Sequence, residues 1–465
     1  MTAVRSAGAP GHHLPPGQLP RLVAPGAPLG LQAHADRYGP LPAQPARPAR
    51  PALAAGPAGL IAAVERAGLT GRGGAAFPTA RKMRAVTSAA RSGRGRRRGG
   101  AVLVANGCES EPASGKDAIL LRQSPHLVLD GIALAAAAVG AASAYLCVDG
   151  ADPARADRLV AAVAERQQAG LPGPPVRVVE LPGGYVASEE SALVNFLNGG
   201  RAVPVYVPPR PFDRGVGGQP TLVSNVETLA HLALIGRYGP DWFAAVGTRA
   251  APGSALVTVG GAVSRPGVYE IGLGLSAGEL IELAGGAAEP LQAILAGGYF
   301  GGWLPLPGAA AVPVSPPGLR SAGASFGAGV LMALPAACCG LAETARVLRY
   351  LAGQSAGQCG PCTFGLPAIA DALAHIAWQG RDERAAEWLS SLLPLVDKRG
   401  ACHLPDGAVA LVASALRVFA DDLRQHLTRG PCPDAARPPL LPVPRRLARP
   451  APGQGGPVVS QGGRP

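Results

Sequence analysis

AVLVANGCESEP, residues 101–112, is the segment on which the fold turns. Its first five residues, Ala101 to Ala105, form an apolar run suited to a buried strand, and the run breaks into a polar loop holding Asn106, Glu109 and Glu111. Lys116 and Asp117 follow closely. Ligands of open parallel sheets bind beyond the carboxyl ends of strands, which is where this loop falls. The competing reading is a solvated surface loop.

Outward from this loop, helix and strand patterns alternate. Upstream, Gly59 to Ala67 reads as a helix closed by Gly68. Downstream come an apolar helix over His126 to Ala142, a strand at 144–149, an amphipathic helix over Pro153 to Gln168 and a strand over Val176 to Leu181. Alternation of this kind predicts an α/β domain, a parallel sheet covered on both faces, over residues 56–248.

The texture changes beyond 249. Strand-like LVTVGGAV (256–263) and RPGVYEI (265–271), a helix over Ser276 to Ala284 and a strand near Ile294 suggest a small β-grasp module over 249–330. Residues 331–430 carry apolar positions three and four apart in Ala345 to Leu351, Pro367 to Trp378, Ala385 to Leu395 and Gly407 to Leu427, the signature of a helical bundle. The Pro- and Ala-rich ends, 1–55 and 431–465, read as flexible tails.

Composition narrows the function classes. A chain of 465 residues, 48% hydrophobic, can bury the cores of several domains. The net charge is +12, but its densest run, Arg91 to Arg98, lacks interleaved aromatics and reads as a solvated loop, so no nucleic acid is expected as a partner. Apolar segments such as Leu127 to Val139 fall short of the roughly 18 to 20 residues that cross a bilayer, so no direct membrane insertion is expected. Without the features of a secretory signal at the N-terminus, a cytoplasmic location follows. In that compartment the eight cysteines are metal ligands or core residues rather than a disulfide framework.

Four further segments carry chemistry. In GLTGRGGAAFPTARK (68–82), Gly71, Gly73 and Gly74 bare the backbone so that N–H groups can approach a phosphate or a flat ring, while Arg72 and Lys82 add charge. GGYVASEESAL (183–193) presents Glu189 and Glu190: one acid serves as a helix cap, and the other is left for ribose hydroxyls or a nicotinamide. QPTLVSNVETL (219–229) offers Ser224, Asn225 and Thr228 at a helix start. SAGQCGPCT (355–363) sets Cys359 and Cys362 three positions apart, with Cys402 far downstream; thiolates of this kind suit an iron-sulfur cluster. Cys147 and Cys432 read as structural or incidental, and His126, His231, His375 and His426 as packing residues.

Taken in order, these five motifs resemble the flavoprotein subunit family of NADH-quinone oxidoreductase, and related hydrogenase and formate dehydrogenase subunits, over about residues 55–428. The resemblance implies a Rossmann-like FMN-binding domain, a β-grasp module of the SLBB type and a helical domain carrying a 4Fe-4S cluster. It implies FMN held by Gly71, Arg72, Gly73, Gly74, Lys82, Asn106, Glu109, Glu190, Ser224, Asn225 and Thr228, and NADH as substrate against Phe77, Glu111 and Glu190. NADH dehydrogenase activity is implied, with electrons passing to other redox subunits, a ferredoxin-like protein or a quinone-reducing partner.

The departures are equally specific. Cys108 stands where the family has Asp, Ala187 and Ser188 where it has Cys and Gly, and Ala85 where it has an aromatic. Val207 and Arg210 replace a Lys before, and a Phe after, the pair Pro208 and Pro209. Ala356 replaces the first of four cluster ligands, which leaves Cys359, Cys362 and Cys402. A fourth ligand from His403, Cys338 or Cys339, an open-corner or three-iron cluster, and an empty site are the alternatives, with Cys339 reading better as a small buried residue. These departures favour an alternative function: a non-catalytic scaffold homologue, or a flavin electron carrier with another donor.

Overall fold

The computed structural model describes residues 17–23, 26, 28–41, 56–92, 100–150 and 152–444. Most of the basic run ending at Arg98, with His12 and His13, lies outside the described residues.

After helices α1 (Leu31–Tyr38), α2 (Gly56–Arg66) and α3 (Thr79–Arg91), the chain enters β1 (Ala101–Gly107), followed by α4 (Lys116–Gln123) and α5 (Pro125–Val139). Then come β2 (Ala141–Asp149), α6 (Pro153–Gln168), β3 (Val176–Leu181), α7 (Glu190–Leu197), β4 (Thr221–Asn225) and α8 (Val226–Tyr238). The four strands pair in parallel in the order β3-β2-β1-β4. From β1 the chain builds outward to β2 and β3 on one side and later adds β4 on the other. The strand order therefore reverses between β1 and β4, and that switch point opens a crevice at their carboxyl ends.

Local chemistry explains the boundaries. Helix α5 starts on Pro125 and stops at Gly140, whose φ of 71° is left-handed, so β2 begins three residues before the expected Ala144. α5 is buried almost all round and packs on α8 so closely that a Cβ on Gly131 would lie 2.0 Å from the Leu229 carbonyl oxygen. Buried Asp130 in α5 binds His34, Arg166 and Arg237. Burial pushes its carboxyl up, but those partners outweigh it and hold the group charged. Through His34, and through Leu22 and Tyr38 in the same core, the described residues between 17 and 41 depart from the flexible tail that their composition suggests.

A second, five-stranded sheet contains β5 (Ser254–Gly261), β6 (Gly267–Gly272), β7 (Leu291–Ala296), β8 (Gly302–Pro305) and β9 (Val330–Pro335), in the order β8-β7-β9-β5-β6. Between β6 and β7 runs α9 (Ala277–Leu283), opened by a capping box of Ser276 and Glu279. β9 lies past the expected module end at 330, yet it is a central strand with every residue buried. Its apolar run carries no helical period.

The helical part comprises α10 (Gly340–Gly353), α11 (Leu366–Trp378), α12 (Glu383–Val396), α13 (Leu404–Val418) and α14 (Ala420–Arg429). The single helical stretch expected over Gly407 to Leu427 is broken at Phe419, whose buried ring lies 5.3 Å from that of Trp303. Residues 431–444, also expected to be tail, pack instead: Leu441 is buried, and the N–H groups of Leu440 and Leu441 donate to the buried Glu343 carboxylate. An acid so deep needs such donors. Among the described residues no helix is long and apolar enough to cross a membrane.

Candidate cofactor sites

At the switch point, Asn106, the penultimate residue of β1, pairs with Asn225, the last residue of β4. The glycine loop folds over this junction as a tight turn in which Gly71 N–H donates to Phe77 O (2.8 Å) and Thr79 N–H to Leu69 O (3.0 Å). Arg72 N–H donates to Thr228 Oγ1 at 2.8 Å, pinning the loop to the first turn of α8. A Cβ on Gly73 would sit 3.3 Å from the Asn225 side chain, and Gly74 has φ 114°. Both positions need glycine, one for close approach and one for conformation.

A chain of contacts closes the crevice on its other side. Asn106 Nδ2 donates to Ser188 O (2.9 Å), and Ser188 shares a 2.5 Å hydrogen bond with Ser110. Two residues on, Glu190 pairs with Lys82 at 2.6 Å. Lys82 belongs to α3, which begins just after the glycine loop. Gly73, Asn225, Asn106, Ser188, Glu190 and Lys82 are thus linked in a ring by contacts and short steps along the chain. Each charged member of the Lys82 and Glu190 pair is about a third exposed, at 29% and 32%. Phe77 stands at the rim, 45% exposed, with the Arg81 guanidinium 5.7 Å from its ring centre.

Beneath the ring lies a buried charge network. Lys116 Nζ bonds Asp117 (2.7 Å) and Glu227 (3.0 Å), and Asn225 Nδ2 donates to Asp117 at 2.7 Å. Burial alone would lower the Lys116 pKa, but the carboxylates of Asp117 and Glu227 raise it above its ordinary value. Burial also opposes ionisation of Glu227, yet Lys116, His231 and Arg72 draw it down to about 2. The floor of the crevice is therefore a fixed ionic lattice that holds Asn225 in place.

The acids divide into two kinds. Glu109 accepts from Asp117 N–H and Ala118 N–H, both at 3.1 Å, and from Ser114 Oγ at 2.6 Å: it caps α4. Glu189 likewise caps α7 through Ser191 and Ala192. Glu190 is left facing Lys82, as the pairing of one capping and one free acid requires. Glu111 is buried and accepts from Tyr185 OH (2.8 Å), Tyr299 N–H (2.8 Å) and Ala113 N–H (3.3 Å). Burial pushes its carboxyl up to about 7 against the pull of those bonds.

Other predicted residues are placed differently from a ligand contact. The Arg72 guanidinium is buried and donates to Thr70 Oγ1 (2.9 Å) and Ser254 O (3.1 Å), so it braces the loop from behind. Thr228 is spent on the Arg72 N–H, and Ser224 sits in the strand opposite Ala105. Cys108 keeps its proton because burial pushes the thiol well above its ordinary range. Sequence reasoning passed over Lys116, Asp117, Glu227 and Tyr185 as site residues. The signal available was a Lys-Asp pair opening a helix right after the polar loop.

The fit to FMN rests on this geometry: a bare backbone for a phosphate or ring, asparagines near two strand ends, and a partly exposed cation beside an acid. The fit to an iron-sulfur cluster rests on the thiols. Burial raises the Cys359 thiol, but hydrogen bonds from the backbone of Ala401 and Cys362 and from the Cys362 thiol outweigh it and hold the group below its ordinary value. The Cys362 and Cys402 thiols are pushed up, first by burial, and each also feels the Cys359 thiol. Three cysteines from two separate segments therefore lie within electrostatic reach of one another, though their three sulfurs do not all come within 4.8 Å of one another, and Cys402 also feels the charge of Glu189 at the start of α7. His403 is 91% exposed and bonds Asp406, and Cys339 lies at the opposite end of α10.

Three family matches run along the chain in this order: the Nuo51 FMN-binding domain over residues 64–234, the SLBB domain over 256–298, and the NADH-ubiquinone oxidoreductase-F iron-sulfur binding region over 342–426. The NADH-quinone oxidoreductase F 2 subunit of Rhizobium meliloti (strain 1021) is 31% identical over 81% of this chain and 90% of its own length. The corresponding F subunit of Mycobacterium tuberculosis (strain H37Rv) is 33% identical over 83% and 88%. The chain belongs to the NADH-quinone oxidoreductase F-subunit family. It is also similar to a chain of an NAD+-reducing NiFe-hydrogenase crystallised in the H2-reduced state, with a TM-score of 0.72 at 31% identity, over 81% of this chain and 63% of that longer one.

Within the F-subunit family this member is an electron-transfer flavoprotein subunit of the oxidoreductase class, with an α/β flavin domain, an SLBB domain and C-terminal helices around an iron-sulfur region. The β-grasp module expected from 249 onward corresponds to the SLBB match. Relatives in this family are subunits of larger oxidoreductases.

Proposed function

We propose that this chain oxidises NADH at FMN seated in the ring of contacts at the switch point, then passes the electrons to a cluster on Cys359, Cys362 and Cys402. The observation that carries this reading is the N-terminus of α7, where Glu190 pairs with Lys82 at the crevice while neighbouring Glu189 acts electrostatically on Cys402. On this reading one short helix start lies within electrostatic reach of both sites, as electron transfer between them would require. Residues 56–248 hold the flavin on this reading, and 331–430 the cluster.

Bound flavin supplies the conversion between two-electron and one-electron transfer. The chain supplies placement and charge. The backbone at Gly71, Gly73 and Gly74 receives the phosphate, Lys82 and Glu190 orient the bound groups, and Lys116 places a fixed positive charge beneath them. Phe77 offers a ring for stacking, and Glu111, poised near neutrality, holds a proton beside the dinucleotide site.

The segment around the two prolines is where this chain departs most from the family's dinucleotide contacts. Where the family carries a cation before them and a ring after, this chain exposes Tyr206 (81%) before and Arg210 after. The family's cation position itself is Val207, so the exposed ring lies one residue before it, while a cation, Arg210, takes the position of the family's ring. Electrons leave for another redox subunit or a ferredoxin-like protein in the cytoplasm, and neither nucleic acid nor a membrane is engaged directly.

The test is the visible spectrum of the purified chain. Flavin bands near about 450 nm that bleach anaerobically with NADH are expected. Bleaching by dithionite alone would replace NADH with another donor. A colourless chain that stays inert after reconstitution would establish the scaffold reading favoured by Val207, Arg210 and Ala356.

A further inference from the structure

The other cysteines cluster as well. Cys339 is the N-cap of α10, His426 lies in α14, and Cys432 follows that helix. Their ligand atoms all lie within 4.8 Å of one another, and Cys339 Sγ is 3.8 Å from His426 Nε2. No other such group occurs among the described residues.

His426 is fully buried and oriented. Its Nδ1–H donates to Ile376 O at 3.1 Å, which leaves the Nε2 lone pair facing the two cysteines. A histidine that ligates metal through one nitrogen typically anchors the other on a carbonyl in this way. At present Nε2 accepts the Cys432 N–H at 3.1 Å, a bond that coordination would exchange.

We propose that Cys339, His426 and Cys432 bind one zinc ion, separate from the iron-sulfur cluster. Tetrahedral zinc with S at about 2.3 Å and N at about 2.05 Å sets sulfur and nitrogen about 3.5 Å apart, so the 3.8 Å observed needs only a small contraction. Soft thiolates with an imidazole suit zinc better than magnesium or calcium. Zn2+ replaces the two thiol protons, which are released to solvent. The fourth position takes water, with Asp422 one turn before His426 on the same helix face and close enough to act on both Cys339 and His426.

Position separates this site from the cluster. Cys339 starts α10 and Cys359 follows its far end, so a 14-residue helix about 20 Å long stands between them along the chain. The ion would tie residues 430–444 to the helical core, where Pro442 O already accepts the Tyr299 hydroxyl at 2.6 Å. A cluster in the first site and zinc in the second would use five of the eight cysteines.

Metal analysis of the full-length chain, purified under reducing conditions from zinc-supplemented medium, tests the assignment. About one zinc per chain is expected alongside iron. Cys432→Ser should remove the zinc and leave iron and flavin intact, whereas Cys359→Ser should lower iron and leave zinc. Cobalt(II) added to the metal-depleted chain should give intense tetrahedral thiolate bands that Cys432→Ser abolishes. A wild-type chain that takes up neither zinc nor cobalt, a Cys432→Ser chain that keeps its zinc, or a Cys339–Cys432 disulfide persisting under reduction would overturn the proposal.

Discussion

The crevice at the switch point and the cysteine loop after α10 are built on opposite plans. The crevice is made of backbone and of side chains that hold one another: Gly73 against Asn225, Asn225 on Asp117, and Asp117 on Lys116. Such a site tolerates Cys108 in place of the family's Asp, because the shape survives the loss of one carboxylate. The cysteine loop offers two thiols, with Cys402 added from a second segment, and no lattice, so Ala356 leaves the family's first ligand position without a thiol. A site made of scaffold drifts in sequence and keeps its form; a site made of ligands changes with each substitution.

The largest expected effect breaks the scaffold side. Lys116→Met strands Asp117 and Glu227 without their cation in the interior and should destabilise the chain by about 3 to 5 kcal/mol, read from urea unfolding. If the loss is under about 1 kcal/mol, the lattice is not what holds the crevice.

Next comes a pH dependence. The folded value for Glu111, about 7, lies above its ordinary 4.5, so the native state binds this proton more tightly than the unfolded chain does. The stability it contributes is present below pH 4.5 and is lost as pH rises through 7, by about 3 kcal/mol at most. Unfolding curves of wild type and Glu111→Gln across that range should diverge accordingly, with the slope absent in the variant.

Ala356→Cys sharpens the ligand side. Restoring a thiol to the missing position should slow loss of iron to a chelator by about tenfold or more. An unchanged rate would mean that the fourth corner is already served by another group. The smallest effect on folding belongs to Lys82→Ala: its partly exposed pair with Glu190 contributes less than about 1 kcal/mol to stability. Flavin affinity, measured by fluorescence titration, should fall in that variant while the melting temperature barely moves.

Much of this was legible in residues 101–112 and their neighbours. Strands β1 to β3, the helices α6 and α9, and the two cofactor motifs follow from period and composition, which act within a dozen residues of chain, whereas β4 lies in a segment read only as a helix start. The division of Glu189 and Glu190 into cap and free acid was legible for the same local reason. Other features were not. β9 reads as the entrance to a helical region until it is seen between β7 and β5, and Phe419 breaks a helix only because a buried pocket receives its ring.

By itself, the sequence determined the family, the α/β core and the spacing of three cluster thiols, since each depends on residues close together or on motifs in order. Tertiary structure alone decided that Glu109 caps a helix while Glu111 is buried among tyrosines, that Lys116 anchors the crevice, and that Cys339, His426 and Cys432 meet. Those outcomes depend on which of several distant segments pack together, and that packing is settled by the burial of whole faces, which no local pattern records.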